Sequence, residues 1–134
     1  MSHEVSSDHA LEACVRACET AERACSRAAS RSLEIGGAQA DPEFLRLLVE
    51  CSRSCARTAQ ILMRGWWDQE PVCLECAELC EICANECRSA ADPELSACAE
   101  VCRTCAQGCR RWSEIQAAPR GALVQAEDDA GDAA

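Results

Sequence analysis

Core-facing positions recur along this chain in alternating steps of three and four residues, in four separate segments. These steps average 3.5 residues, which is the spacing of the positions through which one α-helix packs against others. No segment shows the alternation of apolar and polar residues that is typical of a β-strand. The pattern therefore predicts four helices, at about residues 8–34, 42–64, 70–90 and 93–115.

Short sequence signals mark the ends of these helices. The tripeptide Asp-Pro-Glu occurs at 41–43 and again at 92–94. In both copies Asp can accept hydrogen bonds from the free amides at the start of a helix, and Pro suits the first turn. Gly36 and Gly65 are predicted to end the first and second helices, because glycine readily adopts the left-handed conformation found there. The connections between consecutive helices are therefore short.

Long helices joined by short connections pack against each other in antiparallel fashion. We accordingly expect an all-α protein, an antiparallel up-down-up-down four-helix bundle with a cysteine-lined core. The bundle should span residues 8–116, after a flexible N-terminus at 1–7. Residues 117–134 are small or acidic and lack a helical period, so a disordered acidic tail is predicted there.

Cysteine occupies most of the predicted core positions. All 14 cysteines of the chain lie on the core-facing side of a predicted helix. We call these positions the cysteine stripe: Cys14, Cys18, Cys25, Cys51, Cys55, Cys73, Cys76, Cys80, Cys83, Cys87, Cys98, Cys102, Cys105 and Cys109. Leucine and aromatic residues fall mainly near the ends of the stripe. A core lined with thiols predicts a protein that holds soft metal ions in its interior.

Composition and charge narrow the classes of function. The net charge of −10 argues against nucleic acid as a partner, because phosphate binding needs a basic surface. No apolar stretch of membrane-spanning length occurs in the sequence, which predicts no membrane association. The N-terminal residues MSHEVSSDHA do not resemble a signal peptide. We therefore expect a cytoplasmic protein whose cysteines stay reduced and bind metal.

Among soft ions, Cu(I) suits the cysteine stripe best. It prefers thiolate ligands and tolerates sites with two or three sulfurs. Cysteines three or four positions apart share one helix face, so pairs such as Cys76 and Cys80 are expected to converge on one ion. One Cu(I) per thiolate also cancels the charge that would make a buried thiolate cluster costly. Without metal, protonated cysteines can fill the core as small apolar groups.

The chain resembles the bacterial copper storage proteins over about residues 8–112. The segments that carry the resemblance are CVRACETAERAC, CSRSC, CLECAELCEICANEC and CAEVCRTCAQGC. The resemblance implies a four-helix bundle that stores many Cu(I) ions in its interior and forms a homo-oligomer, commonly a tetramer. It also implies that the protein is not an enzyme.

Three features of the chain depart from that family. Ala21 and Ala28 occupy positions of the first helix where cysteines would continue the stripe. The second helix has only two cysteines, and no cluster of histidines marks one end of the bundle. These departures concern the capacity for metal and the route by which it enters.

Two other functions remain as alternatives. Zinc, or soft metals in general, could be sequestered by the same thiols, because sites of four cysteines commonly hold Zn²⁺. A thiol redox protein would need an accessible cysteine of low pKa at the start of a helix, and Cys73 is the one hint of such a residue.

One end of the bundle is predicted to be the metal entrance. Antiparallel helices bring His9 and Met63 to the same end, and both side chains are soft or borderline metal donors. Trp66, Trp67 and Trp112 should lie at this end too, where they could cover the core or contact another subunit.

Overall fold

The computed structural model describes residues 2–65 and 69–117, except for the side chains of residues 2–6. Its helices are α1 (Ser2–Ile35), α2 (Pro42–Arg64), α3 (Gln69–Ser89) and α4 (Pro93–Ala117), with one 3₁₀ turn at Gly37–Ala40. No strand occurs in the described part of the chain, nor does any helix there have the length and apolar character needed to cross a membrane. The predicted all-α fold is confirmed.

The predicted signals for the start of α2 and α4 act as expected. The Asp41 carboxylate accepts hydrogen bonds from the amides of Glu43 and Phe44, at 3.1 and 3.2 Å. The Asp92 carboxylate caps α4 in the same way, with bonds of 3.1 and 3.2 Å to the amides at 94 and 95. Each cap satisfies two backbone donors that no helical carbonyl can reach.

The C-terminal ends of the first two helices follow the glycine signals. Gly36 and Gly65 have φ angles of 74° and 69°, in the region that residues with a side chain rarely adopt. The Gly65 amide donates to the carbonyls of Ile61 and Leu62, which closes the last turn of α2. Both glycines reverse the chain direction within a few residues, so the next helix runs back along the previous one.

The first helix is longer than predicted. It begins at Ser2 rather than near residue 8, so residues 2–7 are helical and not a separate N-terminal segment. Residues 2–7 contain neither glycine nor proline, so nothing in their sequence interrupts the helix. At the other end of the chain α4 includes Ala117, and the predicted tail from 118 onward lies outside the described residues.

Small residues allow α1 and α4 to approach closely. A Cβ placed on Gly108 would lie 3.5 Å from the Cα of Cys14 and 4.0 Å from the Cβ of Ala17.

Ion pairs join the helices at the surface. Arg110 of α4 makes two hydrogen bonds with Glu81 of α3, at 2.7 and 2.8 Å. This geometry is the paired one that guanidinium and carboxylate groups favour.

The core is made of cysteine and alanine, with larger residues at its ends. Leu62 and Trp112 are buried at the end where α1 begins, and Leu48 and Leu95 are buried at the opposite end. Leu11, Phe44 and Ala90 are only partly buried and pack against its edge. The bundle therefore has a sulfur-rich middle between two apolar ends.

Candidate metal-binding core

The cysteine stripe lies wholly inside the bundle. Every one of the 14 cysteines is a free, buried thiol. All have an exposed fraction of 0% except Cys98, which has 2%. Their burial follows from the 3.5-residue period, because the same period places each cysteine on the face that its helix turns toward the others.

One row of sulfur contacts joins α1 to α4. The Sγ of Cys18 lies 3.6 Å from that of Cys105 and 3.7 Å from that of Cys109. Farther along, the Sγ of Cys25 lies 3.5 Å from that of Cys102. Residue numbers rise along α1 as they fall along α4, which shows directly that the two helices are antiparallel.

A second row joins α2 to α3. The Sγ of Cys55 lies 3.5 Å from that of Cys80 and 3.8 Å from that of Cys76. The Sγ of Cys51 lies 3.7 Å from that of Cys80. The two rows meet where the sulfurs of Cys55 and Cys105 approach to 3.9 Å across the bundle. The thiols thus form one connected network.

Four sets of sulfurs are close enough to share a metal ion, with all members of a set within 4.8 Å of each other. They are Cys14/Cys73/Cys109, Cys18/Cys76/Cys105/Cys109, Cys55/Cys76/Cys80/Cys105 and Cys25/Cys51/Cys83/Cys102. The last set takes one cysteine from each helix. Because Cys76, Cys105 and Cys109 each belong to two sets, the first three sets are linked through common sulfurs. The fourth set has no member in common with them and is joined to them by the 3.7 Å contact between the sulfurs of Cys51 and Cys80.

Neighbouring helices, more than neighbouring turns of one helix, create these sets. The expected convergence of pairs four residues apart occurs for Cys76 and Cys80, which share a set, and for Cys98 and Cys102, at 4.0 Å. Every set nevertheless draws on at least three helices. The reason is that each helix turns a single column of thiols inward, and the nearest sulfurs outside that column belong to the facing helices.

The thiols influence each other's protonation. Hydrogen bonds from Cys105 and Cys109 are the main reason why the pKa of Cys76 lies below the ordinary thiol range, against the opposing effect of burial. The pKa of Cys80 is raised, first by its hydrogen bonds with Cys102 and Cys105 and then by burial. Hydrogen bonds between the thiols therefore lower the pKa of one cysteine and raise that of its neighbour.

Comparison with known sequences agrees with this geometry. A family model described as copper storage protein matches residues 7–114. The chain belongs to the copper storage protein family. The uncharacterised cysteine-rich protein YhjQ of Bacillus subtilis is 32% identical over 76 residues, which cover 57% of this chain and 70% of that protein.

Solved structures of copper storage proteins and their relatives share the fold. The crystal structure of Nmul_A1745 from Nitrosospira multiformis has a TM-score of 0.76 and 33% identity, covering 81% of this chain and 98% of that one. Cu(I)-bound copper storage protein BsCsp3 has a TM-score of 0.74 and 31% identity, covering 78% and 98%. Apo copper storage protein 3 from Bacillus subtilis has a TM-score of 0.69 and 31% identity, covering 76% and 97%.

Outside the cysteine stripe of this family member, His9 and Met63 are exposed on the surface of the bundle. Met63 has an exposed fraction of 58%. Antiparallel packing places both residues at the end that holds Cys14, Cys73 and Cys109, as predicted. Their role as donors at an entrance stays a prediction.

Trp112 closes part of the same end. It is buried, and its indole Nε1 donates a hydrogen bond of 2.8 Å to Oε1 of Gln69 at the start of α3. No local signal marks Gln69 in the sequence, because its partner lies on another helix. Trp66 and Trp67, which were predicted for this end, lie outside the described residues.

Proposed function

We propose that this protein stores several Cu(I) ions on cysteine thiolates in the interior of the bundle. The observation that carries the proposal is the continuous network of buried sulfurs, in which three of the four sets have members in common. Thiolates are the ligands that Cu(I) prefers. Shared sulfurs let one thiolate contact two ions, so the network can hold more metal than separate sites could.

Storage also requires that the empty protein keep its fold. Protonated cysteines are small apolar groups, and the core of this bundle is filled by such groups together with alanine. Each Cu(I) that binds displaces protons from thiols and cancels the charge of a thiolate. The protein can therefore fill and empty while its interior stays close to neutral.

Zinc storage is the second candidate, and one set of sulfurs argues against it. Zn²⁺ in structural sites takes four ligands in a tetrahedron. The set Cys14/Cys73/Cys109 offers three sulfurs, which suits Cu(I) better. The four-sulfur sets by themselves fit either ion.

A thiol redox role has less support. A reactive cysteine must be accessible, whereas Cys73, the one candidate from the sequence, is fully buried. The family is described by storage rather than by catalysis. We therefore infer that the protein acts as a copper store or buffer and not as an enzyme.

The place and assembly of the protein are also part of the proposal. We infer a cytoplasmic location, because all 14 cysteines are free thiols and a reducing compartment maintains them. We infer a homotetramer from the resemblance to copper storage proteins. Size-exclusion chromatography with light scattering of the reduced protein tests the assembly, and a monomeric mass would contradict it.

Anaerobic titration of the reduced protein tests the function. Cu(I) is added in the presence of a coloured Cu(I) chelator, which reports free copper only after the protein is saturated. We expect saturation at about ten or more Cu(I) per chain, since each ion needs about two thiolates and each bridging thiolate serves two ions. Saturation at one or two ions would refute storage, and displacement of bound Cu(I) by equimolar Zn²⁺ would favour the zinc alternative.

A further inference from the structure

Cys98 differs from the other cysteines in its relation to the surface. It is the one member of the cysteine stripe with a nonzero exposed fraction, 2%. It also lines a cavity of about 200 Å³ between α1 and α4, together with Ala24, Arg27, Ala28, Glu94, Ala97 and Val101. The cavity opens on the side of the bundle rather than at either end.

The sulfur of Cys98 is connected to the metal-binding network. It lies 3.9 Å from the Sγ of Cys25 and 4.0 Å from that of Cys102. Cys25 and Cys102 are 3.5 Å apart, so the three sulfurs form a triangle. Cys25 and Cys102 also belong to the set that includes Cys51 and Cys83. A Cu(I) ion bound at this triangle would therefore be adjacent to the interior sites.

Arg27 supplies a positive charge at the rim of the cavity. Arg27 makes no ion pair with any residue that the structure describes. Glu94, the acidic residue of the rim, is already paired with Arg31, with 3.3 Å between its carboxylate and the Arg31 Nε. The remaining lining is mainly alanine and valine. A small ligand with a carboxylate and an apolar body suits these surroundings.

We propose that this cavity, lined by Cys98 and Arg27, is a lateral exchange site where a small anionic thiol delivers Cu(I) to the core or removes it. The proposal rests on the storage function and places an exchange site away from the end that holds His9 and Met63. The carboxylate of the thiol pairs with Arg27, and its Cu(I)-bound sulfur meets Cys98. A cavity of about 200 Å³ admits a molecule of this size but not a folded protein.

The transfer is a ligand exchange without a change in oxidation state. A Cu–S bond to Cys98 forms while the Cu–S bond to the carrier breaks, and copper stays Cu(I). The proton lost by the Cys98 thiol goes to the carrier thiolate that departs. Cys25 and Cys102 can then bind the ion in turn, each releasing a proton to water. The reverse sequence removes copper from the store.

The lateral position also avoids an obstacle. At the end of the bundle nearest to Cys98, Leu48 and Leu95 are fully buried and separate the thiols from solvent along the bundle axis. An ion that followed the axis there would have to pass these apolar side chains. The cavity between α1 and α4 bypasses these leucines, and alanine, valine and Cys98 make up most of its lining.

Stopped-flow measurement of Cu(I) transfer tests the proposal. The carriers are the Cu(I) complexes of N-acetylcysteine, which has a carboxylate, and of its neutral amide. Transfer to reduced apo protein is followed by the ultraviolet absorbance of Cu(I)–thiolate bonds. The variants are Ala97→Leu, which fills the cavity from an exposed position, and Arg27→Gln, which removes its positive charge.

The chain supplies matched controls for both variants. A neighbouring cavity between the same helices is lined by Ala13, Arg16, Ala17, Thr20, Glu100, Val101 and Thr104, and no cysteine lines it. Ala13→Leu and Arg16→Gln therefore make the same chemical changes at a site without access to sulfur. Helix content and the final Cu(I) capacity of every variant are measured as well.

We expect Ala97→Leu to slow transfer from both carriers by about tenfold, since the carrier can no longer reach Cys98. Arg27→Gln should slow transfer from N-acetylcysteine by about three- to fivefold and from the amide hardly at all, which is the effect of losing an exposed ion pair. The two control variants should match wild type, and capacity should not change.

Equal rates for Ala97→Leu and wild type would overturn the lateral site, as would equal slowing by Ala97→Leu and Ala13→Leu. An unchanged preference between carriers in Arg27→Gln would overturn the role of the carboxylate. A low Cu(I) capacity of the wild-type protein is a separate result that would refute storage itself.

Discussion

The sulfur of Cys105 on α4 lies 3.9 Å from that of Cys55 on α2, across the diagonal of the bundle. This contact joins the α1–α4 row of thiols to the α2–α3 row. The set Cys25/Cys51/Cys83/Cys102 joins the two rows at a second place, because it takes one cysteine from each helix. Cys105 also belongs to two of the four sulfur sets, so its removal should affect more than one metal position.

We therefore predict that Cys105→Ser lowers Cu(I) capacity by roughly two ions or more, because a serine hydroxyl does not replace a soft sulfur ligand. Cys87→Ser is the matched control, since Cys87 is equally buried but belongs to none of the four sets. It should cost about one ion or less. Anaerobic titration measures both, and equal losses would contradict a network of shared sulfurs.

The reduced, metal-free protein should already be strongly helical. Its core consists of groups that pack as apolar residues when protonated, so folding does not depend on metal. Far-UV circular dichroism of the reduced protein with a chelator present measures this. A zinc-finger-like chain would behave differently, with a random-coil spectrum that becomes helical only on addition of metal.

Gly108→Ala should stabilise the protein by about 0.5–1 kcal/mol, because alanine favours the helix and reduces the freedom of the unfolded chain. The added Cβ would make ordinary contacts, 3.5 Å from the Cα of Cys14 and 4.0 Å from Ala17. Chemical denaturation of the reduced apo protein measures the change. Gly65→Ala is the contrasting variant and should destabilise, since Gly65 has a φ of 69°.

The contribution of Asp92 to stability should depend on pH. Its hydrogen bond with Arg31, followed by bonds from the α4 amides, lowers the pKa of Asp92 below its ordinary value of 3.8. A lowered pKa in the folded state means that the contribution is present above about pH 4 and is lost as the pH falls through the folded value.

Asp92→Asn should therefore be less stable than wild type at pH 7, and the difference should shrink below about pH 4. Thermal unfolding of the reduced apo protein at several pH values checks this. Asp41→Asn is the control, because Asp41 caps α2 in the same way but has no ion pair in the described part of the chain. A pH-independent difference for Asp92→Asn would contradict the lowered pKa of Asp92.

Met63→Leu combined with His9→Ala should slow uptake of Cu(I) and leave final capacity nearly unchanged. Both residues are exposed at the end that holds Cys14, and soft donors there can pass the ion inward by ligand exchange. Stopped-flow loading with a weakly chelated Cu(I) compares the variant with wild type. Equal rates would mean that these two residues take no part in uptake.

Local sequence determined the helices and the faces that they bury. The capping bonds of Asp41 and Asp92 and the positive φ angles of Gly36 and Gly65 lie where the sequence predicts them, because each depends on residues within one turn. The sequence predicts that α1 starts near residue 8, whereas the helix starts at Ser2, because residues 2–7 contain neither glycine nor proline. Burial of the cysteine stripe follows from its 3.5-residue period alone.

Only the tertiary structure decided which thiols meet. The sequence favoured pairs within one helix, whereas Cys25, Cys51, Cys83 and Cys102 come together from four helices. How a helix is rotated and how far it is displaced along the bundle are set by packing against its neighbours, and spacing within one helix carries no information about either. The cavity beside Cys98 arises in the same way, because it exists only where α1 and α4 lie side by side.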